Sequence, residues 1–177
     1  MSADNYFNVF GFEPKFDIDL RLLAKAYREK QKESHPDRFA HEDVSVQRQA
    51  VQETALNNEM FQVLQSHVKR GSYLLSLNGI DFDLNSYTVD DVEMLMNQLR
   101  YREQLNDIKE NNSQDELFDM QNEIINKQSH ITQSLNDLFS QDIVANEFQI
   151  KSSLCELQFY EKLAAQVELV EDELFLD

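Results

Sequence analysis

The tripeptide His35-Pro36-Asp37 brings an imidazole and a carboxylate together within three residues. Because Pro36 pushes His35 out of the α region, a preceding helix must end by Ser34. The plain interpretation is a turn that ends a helix. With His41 close by, a mixed-ligand metal site is a second interpretation, although no fourth ligand is evident. A rigid recognition loop is the third, since a fixed loop loses little entropy on binding a partner.

The segment before this tripeptide carries basic residues at spacings of four, three and four. Arg21, Lys25, Arg28 and Lys32 therefore fall on one face of a helix that runs toward the tripeptide. The span 15–38 holds 7 of the chain's 16 basic residues. In an acidic chain, this concentration favours a docking surface over an ordinary solvated face.

The net charge of -17 is unevenly distributed. Residues 1–80 carry 10 basic and 11 acidic residues, whereas residues 81–177 carry 6 and 22. The acidic half would be repelled by phosphate and anionic lipid, so we expect neither nucleic acid nor a membrane as a partner. A single cysteine, Cys155, and the absence of a signal-peptide pattern in residues 1–20 predict a cytoplasmic protein with no cofactor and no structural metal.

Glycine and proline occur only up to Gly79, and the following 98 residues contain neither. A breaker-free stretch of this length with helical spacing of apolar residues predicts an all-α protein. Gly79 is a typical residue after a helix, and Thr88 is a typical N-cap, which together predict a boundary between them. We expect domains at residues 1–79 and 88–177, joined by a linker at 80–87.

The first domain is predicted to hold three helices. A short one lies near residues 5–10, with Tyr6, Phe7 and Phe10 in the core. A second spans about 20–34, capped by Asp19, and a third spans about 43–75. The two long helices form an antiparallel hairpin with the tripeptide at its tip. Their predicted inner faces are Leu20, Leu23, Ala24 and Tyr27 on one helix and Val51, Ala55, Phe61, Leu64 and Val68 on the other.

The second domain is predicted to be a three-helix bundle. Its helices span about 89–109, from Ser113 to about 138, and about 143–170. Ser113 and Glu116 form a predicted capping box. The middle helix has a seam of Leu117, Gln121, Ile124, Gln128, Ile131, Leu135 and Leu138. The last helix is predicted to align Val144, Phe148, Cys155, Phe159 and Leu163.

Apolar residues occupy two nearly opposite faces of the first bundle helix, at about 100° per residue. One face holds Val92, Leu95, Met96, Leu99 and Glu103, and the other holds Met94, Tyr101, Leu105 and Ile108. Because a bundle buries one broad face, either the helix is wedged wholly into the core or one stripe is exposed. We expect the stripe with Met96 to bind a partner, since a thioether side chain adapts to partner shape.

Several motifs carry a family resemblance. The first half resembles a J domain, the module that stimulates ATP hydrolysis by DnaK-type chaperones. The residues that carry this resemblance are Asn5-Tyr6-Phe7, Phe10-Gly11-Phe12, the basic helix, His35-Pro36-Asp37-Arg38-Phe39, Asn58, Phe61 and Leu64. Beyond it, the stretches 70–79, 95–99 and Arg102-Glu103 resemble the HscB family of co-chaperones of iron-sulfur cluster assembly. The resemblance covers nearly the whole chain, and no Gly/Phe-rich linker or zinc-finger segment follows the J-like part.

The resemblance implies a co-chaperone that is not an enzyme. His35, Pro36 and Asp37 would engage an HscA-type ATPase, aided by the basic face. The surface for the IscU-type scaffold would comprise Leu95, Met96, Leu99, Glu103, Asp107 and Phe159, beside Val92. Arg100 departs from the family pattern, in which an acidic residue is common. The eukaryotic members' cysteine-bearing N-terminal segment is absent, which predicts a bacterial-type protein.

Two alternatives remain at this point. The chain could be a general J-domain co-chaperone of DnaK that serves other clients. It could also be a metal-dependent hydrolase that uses His35 and Asp37.

Overall fold

The computed structural model describes residues 5–84 and 92–175. Within these ranges the chain forms helices and no strand, which confirms the all-α prediction. The helices are α1 (Tyr6–Val9), α2 (Leu20–Ser34), a 3₁₀ helix (Pro36–Phe39), α3 (Val44–Gln65), α4 (His67–Leu77), α5 (Val92–Asn111), α6 (Gln114–Phe139) and α7 (Glu147–Phe175). No helix in the described ranges is long and apolar enough to cross a bilayer.

The chain divides into two compact units, residues 1–78 and 79–177. The first part of the predicted linker belongs to the second unit, where Ile80 is buried and Lys151 of α7 donates a hydrogen bond to the Asp81 carbonyl. The rest of that linker, from residue 85, lies outside the described residues, as do the predicted cap Thr88 and the helix start at residue 89.

Helix α2 has the predicted bounds. The Asp19 carboxylate accepts hydrogen bonds from the backbone N–H groups of Arg21 and Leu22, which satisfies two donors that have no partner within the helix. Leu23 is fully buried, and α2 packs against α3. The prediction that Leu20 lies on the inner face was wrong, because this residue is 39% exposed. As the first residue of the helix, it has neighbouring turns on one side only.

The predicted single helix over residues 43–75 was wrong, because Ser66 separates α3 from α4. Ser66 has extended backbone, with φ -83° and ψ 127°, and its hydroxyl accepts from the Lys69 backbone N–H at 3.3 Å. It thus ends one helix and caps the next. Arg70 satisfies a carbonyl at the end of α3 by donating to Leu64, while its guanidinium carbon lies 5.2 Å from the centre of the Phe16 ring.

The buried face of α3 also differs from the predicted one. Val51 and Ala55 are exposed, and the buried positions are Ala50, Asn57, Met60 and Leu64. The observed buried face differs from the predicted one because it includes a polar residue, Asn57. Asn57 is buried because its amide donates to the hydroxyl of Ser34 at the end of α2, and the apolar pattern alone does not include such a position.

The short helix α1 packs against α3 and α4 in the first unit. Phe7 and Phe10 are buried as predicted, whereas Tyr6 is only half-buried. The Tyr6 ring stacks on Tyr73 of α4 at 4.3 Å between centroids, and its backbone N–H donates to the Tyr73 hydroxyl. These contacts fasten α1 to α4.

The second unit packs α5, α6 and α7 together. The predicted seam of α6 supplies Leu117, Ile124, Ile131 and Leu135 to the core, all of them buried. The predicted capping box does not form, because the Ser113 side chain makes no capping bond. Instead Asn112 adopts φ 54° and Ser113 donates its backbone N–H to the Ile108 carbonyl, which closes the end of α5.

The predicted face of α7 was partly wrong. Val144 and Phe148 are 62% and 69% exposed. Helix α7 begins only at Glu147, after a turn in which Asp142 accepts from two backbone N–H groups. The buried face of α7 begins at Ile150, which lies about 200° around the helix from the exposed Phe148. The core residues of α7 are Ile150, Leu154, Cys155, Leu157, Tyr160, Leu163, Val167 and Val170.

Candidate functional site

The His35-Pro36-Asp37 loop lies at the tip of the α2–α3 hairpin, and two side chains hold its start in place. The Arg38 guanidinium donates to the carbonyls of Lys32 at 3.0 Å and Glu33 at 3.3 Å. Thr54 of α3 donates its hydroxyl to the Ser34 carbonyl at 2.9 Å. The last carbonyls of α2 are thus satisfied by the loop itself and by the neighbouring helix.

Within the loop, His35 and Asp37 are organised around one backbone bond. His35 has φ -60° and ψ 126°, as the following proline requires, and its Nδ1 accepts from the Asp37 backbone N–H at 3.3 Å. This bond uses the Nδ1 lone pair and so belongs to the neutral ring. Nδ1 also lies 3.6 Å from Asp37 Oδ2, and that contact becomes an ion pair only when the imidazole is protonated.

Both side chains are open to a partner. The His35 and Asp37 side chains are 55% and 89% exposed. Neither fills the core, so the loop presents an imidazole and a carboxylate on a short, proline-stiffened support. Such a surface suits recognition, because the backbone is ordered before binding.

The four predicted basic residues form one exposed stripe along α2. Arg21, Lys25, Arg28 and Lys32 are all exposed, and none forms an ion pair with an acidic side chain of the described ranges. The stripe ends at Lys32, one turn before the loop. Its positive charge is thus available to an acidic partner surface.

A polar cluster that the sequence did not indicate joins α2 to α3 behind this stripe. The Tyr27 hydroxyl donates to Asn58 Oδ1 at 2.7 Å, and the Gln31 amide donates to the same oxygen at 2.9 Å. The Tyr27 ring stacks on Phe61 at 4.0 Å between centroids. These contacts fix the rotation of α2 and hence the direction of its basic face. Asn58 and Phe61 are both among the residues that resemble a J domain, and both contact Tyr27.

The predicted stripe on α5 is exposed. Val92, Leu95, Met96 and Leu99 are 74%, 55%, 63% and 53% exposed, and Glu103 and Asp107 follow them as exposed acids. The opposite face is the buried one, with Tyr101, Leu105 and Ile108 at 0%, 7% and 0% exposed. The alternative of a helix wedged wholly into the core is therefore wrong.

Phe159 of α7 is half-buried beside α5 rather than on the stripe itself. Its ring lies 6.1 Å from Tyr101, and it lines a small groove whose α5 wall is Met94 and Asn97. The structure thus places Phe159 against the flank of α5, next to Met94 and Asn97, which were not predicted to belong to the scaffold surface. Met94 had been assigned to the core face and is half-buried at the rim of this groove.

Arg100 is exposed and its guanidinium carbon lies 5.0 Å from the centre of the Tyr101 ring. Tyr101 in turn donates its hydroxyl to Glu123 of α6, and burial raises the pKa of this phenol far above its ordinary value. Tyr101 therefore remains a neutral donor that ties α5 to α6 beneath the stripe.

No cluster of side chains in the described ranges supports the metal interpretation. No group of three His, Cys, Asp or Glu side chains there could hold a metal ion. His35 and Asp37 form a pair, and His41 adds no third ligand to it.

Comparisons with known proteins identify relatives of this chain along nearly its whole length. A family model described as "HSCB C-terminal oligomerisation domain" matches residues 90–168. The co-chaperone protein HscB homolog of Shewanella woodyi is 38% identical over 172 residues, which cover 97% of this chain and 99% of the relative. The corresponding protein of Colwellia psychrerythraea is 33% identical and covers 98% and 99%.

Two solved structures are similar throughout. Chaperone HscB from Vibrio cholerae superposes with a TM-score of 0.86 at 32% identity, covering 97% of this chain and 99% of that one. Human co-chaperone HscB has a TM-score of 0.84 at 22% identity, covering 96% and 83%, which shows the shared fold. From the sequence matches along nearly its whole length, the chain belongs to the HscB family of co-chaperones.

Proposed function

We propose that this co-chaperone recruits an HscA-type ATPase through the His35-Pro36-Asp37 loop and delivers an IscU-type scaffold to it through the α5 stripe. Residues 1–79 act as the J domain and residues 88–177 as the scaffold-binding domain, and the start of the segment 80–87 between them packs with the second unit. The protein works in the cytoplasm and performs no catalysis itself, since ATP hydrolysis takes place on the partner.

The observation that carries this proposal is the exposed loop at the end of the basic stripe, whose four residues form no ion pair within the described ranges. The loop is held from behind by Arg38 and Thr54, while His35 and Asp37 face solvent. The basic stripe supplies long-range attraction toward an acidic ATPase surface, and the loop supplies a specific, pre-ordered contact. Stimulation then follows if the loop binds the hydrolysing conformation of the ATPase more tightly than the resting one.

The α5 stripe supports the second half of the proposal. Its exposed apolar residues form a contiguous patch followed by Glu103 and Asp107, which is the arrangement of a protein interface with an apolar centre and a polar rim. In this proposal Phe159 of α7 contributes from the groove on the flank of α5, beside Met94 and Asn97. A scaffold with apolar anchors and basic residues would match both parts.

The decisive experiment measures steady-state ATP hydrolysis by purified HscA-type chaperone with the scaffold and this protein. His35→Gln and Asp37→Asn should abolish the stimulation, yet leave scaffold binding and the helical circular dichroism spectrum unchanged. Arg48→Gln, at another exposed position of the first unit, is the matched control and should stimulate normally. Full stimulation by both loop variants would refute the assignment of this loop.

A further inference from the structure

A second apolar surface lies between α6 and α7. Phe118 and Ile125 are 63% and 61% exposed. They are seven residues apart, so they align on α6 to within about 20°. They line a groove of about 230 Å³ whose opposite wall is formed by Ala164 and Val167 of α7. Helix α6 therefore has exposed apolar residues, Phe118 and Ile125, beside the seam that faces the core.

This groove is separate from the α5 stripe and from the flank beside it. Phe159 and Glu168 are nine residues apart on α7, which places them about 180° apart around the helix. Phe159 lines the groove toward α5, and Glu168 lines the groove toward α6. A ligand in the α6–α7 groove would thus use none of the residues assigned to the scaffold, and the inference does not depend on the proposed function.

Acidic residues lie in the α7 wall of the groove and on the outer flank of α6, and we call these two sets its acidic rims. Glu168 and Glu171 belong to its α7 wall, and the Gln121 amide holds the Glu171 carboxylate at the edge through a 2.7 Å bond. On the other flank of α6, the exposed Asp115 and Asp119 lie about 60° and 100° from Phe118.

These four acids have no cationic partner in the described ranges. No Lys or Arg of the described ranges forms an ion pair with any of them. On α6 and α7 the basic residues nearest in sequence to the groove are Lys127 and Lys162, which point about 180° from Phe118 and about 120° from Glu168 respectively. The groove therefore combines an apolar floor with two negative rims.

We infer that the α6–α7 groove binds a basic amphipathic segment of a partner protein. Apolar side chains of that segment would enter between Phe118, Ile125 and Val167, and its Lys or Arg residues would face the two acidic rims. The volume lies below the range of roughly 300–1,000 Å³ that is usual for small-molecule sites. A row of side chains from one helix suits it better, as in helix-in-groove recognition.

Charge also argues against other occupants. Residues 81–177 carry 22 acidic and 6 basic residues, so a second copy would bring like charge to the groove. A basic segment gains from the same field, because its charges pair with the rims while its apolar face loses contact with water.

The test uses the full-length protein and a fluorescein-labelled helical peptide of about 18 Leu and Lys residues, with Leu at positions i, i+3, i+4 and i+7. Fluorescence anisotropy should show binding of this peptide. A scrambled peptide of the same composition, and one with Glu in place of Lys, should bind at least ~10-fold more weakly, since both the apolar alignment and the charge are required.

Two variants locate the binding. Phe118→Ser combined with Ile125→Ser should weaken binding of the Leu/Lys peptide at least ~10-fold, because it removes both exposed apolar anchors. Asp119→Asn combined with Glu168→Gln should weaken it at low salt and much less at high salt. The matched control is Leu169→Ser, at a 65% exposed position of α7 about 160° from Glu171, and it should bind normally.

The inference is overturned if the Phe118/Ile125 variant binds as tightly as wild type, or if Leu95→Ala, Met96→Ala and Leu99→Ala remove the binding instead. Equal binding of the scrambled peptide also overturns it. Sedimentation velocity tests a second copy of the chain as the occupant. Self-association of the wild type that Phe118→Ser and Ile125→Ser abolish would assign the groove to a second copy and overturn the inference. Should that variant melt early, the Asp119/Glu168 variant still decides the result.

Discussion

The Thr54 hydroxyl donates a 2.9 Å hydrogen bond to the backbone carbonyl of Ser34, so α3 holds the last residue of α2 directly before the His35-Pro36-Asp37 loop. Thr54 lies 20 residues from Ser34 in the chain and is not among the residues that we propose to contact a partner. It is therefore a positioning residue for the loop.

Thr54→Val should disturb the loop while preserving the shape of the side chain. The Ser34 carbonyl would lose its donor, at a cost of about 1–3 kcal/mol in the free energy of unfolding. We expect stimulation of the ATPase to fall several-fold, since His35 and Asp37 would no longer be held in one orientation. Urea denaturation and the ATPase assay check both effects. Thr54→Ser keeps the hydroxyl and should restore them, whereas full stimulation by Thr54→Val would rule out this positioning role.

Reversal of charge on the basic stripe should weaken association with the ATPase in a salt-dependent manner. With Arg28→Glu and Lys32→Glu, we expect a large loss of affinity at low salt that shrinks as added salt screens the exposed charges. Calorimetric titration at two salt concentrations measures this difference. Lys69→Glu, on the exposed surface of α4, is the control and should have little effect. A loss that is the same at both salt concentrations would argue against electrostatic docking.

The two faces of α5 should respond oppositely to truncation. Leu95→Ala, Met96→Ala and Leu99→Ala together should strongly weaken scaffold binding, since apolar anchors at an interface centre contribute about 2 kcal/mol or more apiece. The melting temperature should barely change, because all three side chains are more than half exposed.

The contrasting pair is Leu105→Ala with Ile108→Ala. Both residues are buried, so each truncation should cost about 2–5 kcal/mol through the cavity that it leaves. Circular dichroism melting and scaffold titration distinguish the two sets. A triple variant that unfolds while the Leu105/Ile108 pair melts normally would mean that the faces are assigned the wrong way round.

His67 should make the first unit less stable in mild acid. Burial beside Arg70 lowers the pKa of His67 below its ordinary value of 6.5, and the weaker effect of Asp17 opposes this. The unfolded chain therefore binds more protons than the folded one as the pH falls through about 6.5, and the free energy of unfolding decreases there. Above that pH the contribution is fully present.

Chemical denaturation of the full chain between about pH 7.5 and pH 5 measures this dependence, in a range that brackets the ordinary histidine pKa. His67→Gln should lose stability less steeply with falling pH than wild type, because it removes the titrating group. His41→Gln is the control, since His41 is exposed, and its profile should match that of wild type. An unchanged slope in the His67 variant would remove His67 as the cause.

Elements with local signals were predictable. Helix α2 was predicted with its observed bounds because Asp19 caps the first turn and Pro36 forces His35 out of the helix, and both effects act within a few residues. The exposed and buried faces of α5 followed from the separation of its apolar residues into two stripes. These predictions needed only the spacing of residue types along one helix.

Predictions that depended on distant partners were less successful. The break at Ser66 went unnoticed because serine is tolerated inside a helix, and the break is stabilised by Arg70 reaching back to the Leu64 carbonyl. The buried face of α3 was misplaced because Asn57 finds its partner in Ser34, 23 residues away. For Phe148, only the packing of α7 against its neighbours determined which side of the helix faced the core.

The same division applies to the surfaces. The amino-acid sequence by itself determined the bounds of α2, the rigid tripeptide, the basic stripe and the apolar stripe of α5, because capping, proline geometry and helical periodicity are local effects. Only the tertiary structure decided that Arg38 and Thr54 hold the loop, that Phe159 lies against the flank of α5, and that Phe118 and Ile125 stay uncovered between acidic rims. Each of these depends on which residues far apart in the chain meet, and that is set by the packing of whole helices rather than by any short segment.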